Sequence, residues 1–218
     1  PGLEDAATHG LVYCGGTTWT LRHLDWIRRQ RLDQPPSQLA LDEYYDTVLT
    51  NKARRDRLDA AIEAMAADSE FTPITRRLGC LRGIGTLTGF ALAVEIGDWH
   101  RFTGNSIGSF VGPVPSEESS GATRSQGSIT KTGNKHVRRL LVEAAWHHRN
   151  PYRPGTVMRR RWNQATPAVR ARGDLGNRRL PKRWRAFDAR QKKSTIANTA
   201  IARELASWCW SLAIMDDD

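Results

Sequence analysis

Leu81-Arg82-Gly83-Ile84-Gly85-Thr86-Leu87-Thr88 lies between two apolar runs, Ile74 to Leu81 and Thr86 to Ile96. It reads as two helices joined by a glycine turn, a helix-hairpin-helix. Thr72-Pro73 suits the start of the first helix, because proline is tolerated in a first helical turn. Glycine permits the tight turn, and the free N–H groups opening the second helix can hold a phosphate oxygen. Arg82, Gly83, Gly85 and Thr86 are therefore candidate phosphate contacts. A bare Gly-x-Gly also joins helices that merely pack, so the context must carry the reading.

Toward the N-terminus, residues 1–20 are rich in Gly and Thr without a clear period. Trp19 to Leu32 is expected as a short basic amphipathic helix stopped by Pro35-Pro36. Ser37 then caps a long helix to about Asp68. Along it Leu41, Tyr44, Val48, Asn51, Arg55, Leu58, Ile62 and Met65 fall at alternating three- and four-residue steps. This heptad spacing fits either a helix packed within one domain or a coiled-coil dimer with Asn51 setting register. Residues 1–36 read as a remnant or linker and 37–70 as the long helix.

Toward the C-terminus, residues 71–150 read as a domain built on the glycine turn. Trp99, Phe102, Ile107 and Phe110 anchor it, and Gly112 to Thr130 is expected as a long polar loop. A helix from Lys131 to about His148 turns Val137, Leu140, Leu141 and Ala144 inward, and Lys135, Arg138 and Arg139 outward. Residues 151–193 are poor in apolar residues and broken by Pro151, Pro154, Pro167 and Pro181. They read as a flexible basic segment that orders on nucleic acid. Residues 194–218 comprise a packing helix, Thr195 to Met215, and an acidic tail. The fold class is mostly α: a long helical, coiled-coil arm, then a helical domain containing the helix-hairpin-helix. Neither an internal repeat nor strand alternation is evident.

Charge is segregated along the chain. Residues 101–193 hold 21 Lys and Arg against 5 Asp and Glu, a net +16, while the remainder carries −6. A basic half of this kind suits a polyanion, because neutralised phosphates release counterions. Anionic lipid fits less well, since no segment joins this charge to a strong apolar face. No run of about eighteen apolar residues occurs and no signal peptide opens the chain, so a cytoplasmic protein without a membrane span is expected. Cys14, Cys80 and Cys209 are widely spaced and read as reduced thiols. The start at Pro1 suggests a fragment.

Ser116, Ser119 and Ser120 lie in the polar stretch, where serine ordinarily makes turns or caps; a nucleophile is the alternative. Arg124, Lys131, Lys135, Arg138 and Arg139 can stabilise a phosphorane or hold nucleic-acid backbone. His147 and His148 are adjacent on a helix, so they make a poor ligand pair and read as solvent or phosphate contacts. Glu95, Asp98, Glu117 and Glu118 lack the spread of a nuclease metal cluster. No metal ligand is assigned.

Three stretches together resemble the insertion sequence 110 (116/110/902) family of transposases: Leu81 to Gly85, Gly112 to Gly121 and Ile129 to Arg139. Their order and spacing are similar to that family's C-terminal transposase domain. The long arm at 37–68 and Ile201 to Leu205 also look like family members. The resemblance implies a DNA recombinase whose serine attacks a phosphodiester, and that serine precedes a glycine. It falls on Ser120, with Ser119 the alternative. Also implied are a structured guide RNA and a homo-oligomer through the 37–68 helix. An N-terminal RuvC-like domain with four metal-binding carboxylates is implied too, and only a loop-like remnant before the arm is expected in its place here. Mg2+ is expected only with that domain, and no cofactor is expected in this chain. Alone, the chain is expected to bind nucleic acid without transposing. The rival is a non-catalytic helix-hairpin-helix binding module.

Overall fold

The computed structural model of the chain describes residues 11–113, 115–120, 123–129 and 132–216, and within 114–128 only the backbone of two strands. Two compact units, Pro1–Ala61 and Ile62–Asp218, make up the chain.

In the first unit, helix α1 spans Leu21–Arg28. Thr20 caps it, its hydroxyl oxygen accepting the His23 N–H at 3.3 Å. The buried His23 accepts the Trp19 N–H at Nδ1 (2.9 Å) and packs in one cluster with the rings of Tyr13 and Trp26. This helix is shorter than the 19–32 expected. The side chains of Gln30 and Arg31 donate to the Trp26, Arg28 and Gln30 carbonyls and close it early.

Helix α2, Pro35–Ala67, starts on the two prolines rather than at Ser37. Proline lacks an N–H that a first turn does not use, and its φ already suits a helix. Gln38 Oε1 accepts the Leu32 N–H at 2.8 Å across the turn into it. Along α2 only Ala66 is buried, while Tyr44, Leu58 and Met65 of the heptad seam stay exposed. Lys52 and Arg55 pair with Asp56 and hold its carboxyl below its usual range.

The second unit is a helical assembly around one core. Helices α3 (Thr72–Leu78), α4 (Thr86–Ile96) and α5 (Ser106–Val111) lead into strands β1 (Pro115–Ser120) and β2 (Thr123–Ile129). Helix α6 (Lys135–Trp146), a 3-10 turn (His147–Arg149), α7 (Thr156–Trp162), α8 (Pro167–Ala189) and α9 (Ser194–Ala213) follow. The mostly α class therefore holds. Helix α9 is the hub, packing on α3, α5, α6 and α8. Its Ile201, Leu205 and Leu212 are fully buried, and alanines 197, 202 and 206 beside them let neighbours approach. Each fully buried aliphatic side chain stabilises by about 1.5–3 kcal/mol. Trp210 Nε1 donates to the Phe102 carbonyl (2.9 Å) and Ser207 Oγ to that of Gly104 (2.6 Å), fixing the chain before α5.

Two expectations are corrected here. The stretch 112–130, read as a loop, carries an antiparallel pair with Glu117 opposite Gln126 and Ser120 opposite Thr123. A register shift between Pro115 and Glu117 marks its base. Backbone pairing alone makes such a ribbon, and its polar composition left no alternation to read.

The stretch 151–193, read as flexible, holds α7 and α8. Thr166 caps α8, Pro167 occupies its first turn, and Val169, Leu180, Pro181 and Trp184 are buried. An interior proline costs about 3 kcal/mol, yet α8 continues through Pro181 because this face is buried around it. Gly173 and Gly176 extend the contact without apolar bulk. A Cβ would stand 2.8 Å from Cys80 Cβ at the first and 2.9 Å from the Trp208 ring at the second.

Candidate functional site

Between α3 and α4 the chain turns through Gly79 to Gly85. Gly83 has φ +84°, and a Cβ there would lie 2.5 Å from the Ala144 carbonyl oxygen, so the turn presses on the end of α6. Several of its carbonyls are occupied. Cys80 O accepts from Asn177 Nδ2 (2.9 Å) and Trp162 Nε1 (3.2 Å), and Ile84 O accepts from the Arg161 guanidinium. Arg82 N–H donates to Asn177 Oδ1 at 2.8 Å. The Arg82 guanidinium donates to the carbonyls of Asn150 (3.0 Å) and Pro151 (2.9 Å), so it braces the protein from within.

The amides are arranged differently. Gly85, in an extended conformation, precedes α4 with no side-chain cap. The N–H groups of Gly85, Thr86 and Leu87 have no partner among the described residues. An uncapped helix start of this kind attracts anions. Beside it lies a cavity of about 300 Å³ lined by Arg76, Thr86, Arg161 and Gln164, with Glu63 on its rim. Burial disfavours the Arg161 charge and lowers its pKa.

Sequence reasoning missed Arg161 and Asn177. Asn177 had a signal: it is the polar member of the inward stripe Val169, Gly173, Gly176, Leu180, Trp184 on α8. Arg161 had none, being one of three successive arginines.

The second part is the foot of the β1–β2 hairpin. Gly112 (φ +82°) and Gly133 (φ +95°) face opposite strands of chain entering and leaving it. A Cβ at Gly112 would lie 2.0 Å from Thr132 O, and one at Gly133 only 1.9 Å from Phe110 O. The two glycines thus clasp the foot reciprocally. Arg138 reinforces it, donating to the Val111 carbonyl at 3.1 Å.

Asn134 caps α6 by accepting the N–H groups of His136 (2.9 Å) and Val137 (3.0 Å). Its Nδ2 donates to Glu95 Oε2, and His136 Nδ1 meets Glu95 Oε1, both at 2.7 Å. Those two hydrogen bonds hold the Glu95 carboxyl below its usual range. Glu95 is thus a tie between α4 and α6.

Of the remaining candidates, Lys135 and Arg139 are exposed on α6. Ser119 is the register partner of Arg124, and Ser120 immediately precedes the two-residue link to β2. Lys131 lies outside the described residues. Among the described residues no three of His, Cys, Asp and Glu are grouped to hold an ion. No helix among them is long and apolar enough to cross a membrane.

His148, read as a solvent or phosphate contact, is instead fully buried. Burial, helped by the Arg82 charge, pushes its pKa down to about 4. The unfolded chain, with a histidine near 6.5, then takes up a proton that the folded chain refuses. This contribution is intact above about pH 6.5 and lost as pH falls toward 4, a change of about 2–3 kcal/mol. Urea unfolding at pH 7 and 4.5 should show that loss, and His148→Leu should reduce it. An equal loss in both proteins would contradict the assignment.

Residues 75–156 match the family described as Transposase IS116/IS110/IS902. Over 206 residues the chain is 37% identical to y4qE of Sinorhizobium fredii, a protein named as a transposase, covering 94% of this chain and 50% of the relative. It is 24% identical over 180 residues to the transposase for insertion sequence element IS1533 of Leptospira borgpetersenii, covering 80% and 51% respectively. The transposase for insertion sequence element IS1328 of Yersinia enterocolitica is 30% identical over 125 residues, covering 53% and 36%. The chain thus spans about half the length of the first two relatives. The glycine turn, the hairpin foot and α6 all lie inside the residues that match the transposase IS116/IS110/IS902 family, so this part of the chain carries that family's domain.

Proposed function

We propose that this chain is the DNA-handling and strand-joining part of an insertion-sequence transposase, with Ser120, or Ser119 beside it, as nucleophile. The observation that carries the proposal is the position of these serines at the far end of a hairpin whose foot is clasped onto α6. In the reaction, serine Oγ attacks the phosphorus and the bond to the leaving deoxyribose oxygen breaks. The serine proton ends on that oxygen. Reversal with another strand end rejoins DNA without ATP, because the phosphoserine bond keeps the phosphodiester energy.

The DNA backbone lies, in this reading, along the open start of α4 and the exposed cations of α6, a helix-hairpin-helix grip. Arg124 is the stabilising cation nearest the serines in register. Arg82 and Arg138 serve by holding the turn and the hairpin foot. A structured guide RNA and a second copy of the chain, joined along the exposed seam of α2, complete the proposed assembly, which acts in the cytoplasm.

Salt dependence tests the grip. Each phosphate contact adds about 0.9 to the slope of log affinity against log salt. Lys135→Ala/Arg139→Ala should therefore lower that slope for duplex DNA by about 2. An unchanged slope would remove α6 from the interface.

A further inference from the structure

A second basic site stands apart from the hairpin and from the start of α4. A cleft of about 250 Å³ opens between the segment after the 3-10 turn and α8, lined by Arg149, Tyr152, Arg178, Pro181, Lys182 and Arg185. Arg178 is neutralised by Asp174 at 2.6 Å. Arg149, Lys182 and Arg185 have no ion pair or hydrogen bond among the described residues. Most other exposed arginines of α8 are engaged: Arg179 and Arg183 both pair with Glu204. Converging uncompensated cations repel one another unless an anion joins them.

The wall of the cleft is firm. Tyr152 is partly buried, its hydroxyl 3.5 Å from Asn177 Nδ2. Burial and Asp174 push its pKa up to about 12, so it stays a neutral ring. The Arg82 guanidinium holds the Asn150 and Pro151 carbonyls behind it.

We propose that this cleft takes one nucleotide of a single-stranded nucleic acid, its phosphate on Arg149, Lys182 and Arg185 and its base or sugar against Tyr152 and Pro181. A concave basic pocket with an aromatic wall matches how single strands are held, by cations along the backbone and rings under the bases. A duplex presents a convex backbone with its bases stacked inside, and cannot place a base here. The inference rests on the nucleic-acid reading above and adds a second strand to it, held on α8 while duplex lies on α4 and α6.

Fluorescence anisotropy with a 12-nucleotide single-stranded DNA, the matching RNA and the DNA duplex tests it, at one salt concentration. Lys182→Ala/Arg185→Ala and Tyr152→Leu should each weaken single-strand binding at least about tenfold, the scale of one stacked base. Duplex affinity should stay within about twofold. Arg159→Ala/Arg160→Ala on α7 removes the same charge elsewhere and should leave single-strand binding nearly unchanged; circular dichroism and melting check each fold. Preference between the DNA and RNA arms names the strand. The inference falls alone if duplex binds but the α7 and α8 double variants behave alike, if Tyr152→Leu has no effect, or if polyglutamate displaces the single strand equally well. It falls together with the proposed function if the unaltered chain binds neither duplex nor single strand.

Discussion

Ser120→Ala should abolish strand joining in a recombination-competent assembly, by at least about a factor of ten thousand. A nucleophile that forms the covalent intermediate has no substitute, and removing one from a serine enzyme costs on the order of a millionfold. Ser119→Ala discriminates between the neighbours. Ser119 is opposite Arg124 and Ser120 is opposite Thr123, so the two serines occupy successive register positions. Successive strand residues differ in direction, and a reaction needing one orientation cannot use both. The expected outcome is a product band lost with Ser120→Ala and only weakened with Ser119→Ala, read from recombined plasmid. The reverse pattern would move the nucleophile by one residue. Retention with both variants would remove it from the hairpin.

Gly133→Ala should unfold the hairpin foot and cost more than about 3 kcal/mol of stability. Two effects add. A left-handed backbone costs a residue with a Cβ about 1–2 kcal/mol. The added atom would also meet Phe110 O at 1.9 Å, against backbone that cannot swing aside like a side chain. Gly112→Ala meets Thr132 O at 2.0 Å and should behave alike. Urea unfolding measures the loss, and a cost of only about 1–2 kcal/mol at Gly133, the backbone effect alone, would mean that the clasp contributes nothing.

Much of the helical plan was legible because it is written in apolar spacing and capping. The glycine turn, the run of α4 and the inward face of α6 follow from residues such as Leu92, Val137 and Leu141. The hairpin was hidden because Ser116 to Ser120 and Thr123 to Ser128 offer neither apolar alternation nor β-branched runs. Helix α8 was hidden differently. Gly173 and Gly176 bury its face by close approach, so counting hydrophobic residues understates what it packs. At the site, the basic residues were legible as charges but their duties were not. Arg82 and Arg138 reach backbone carbonyls, and Arg161 reaches the glycine turn from 77 residues away, partners that no local spacing records.

The most direct measurement of the central claim is to trap the protein–DNA adduct from an active assembly and fragment its modified peptide by mass spectrometry. The proposal predicts a phosphodiester-linked nucleotide on Ser120, or on Ser119 beside it, and none in the double alanine variant. A nucleotide carried by any residue outside the hairpin, or recombination that proceeds with no covalent adduct, would contradict it.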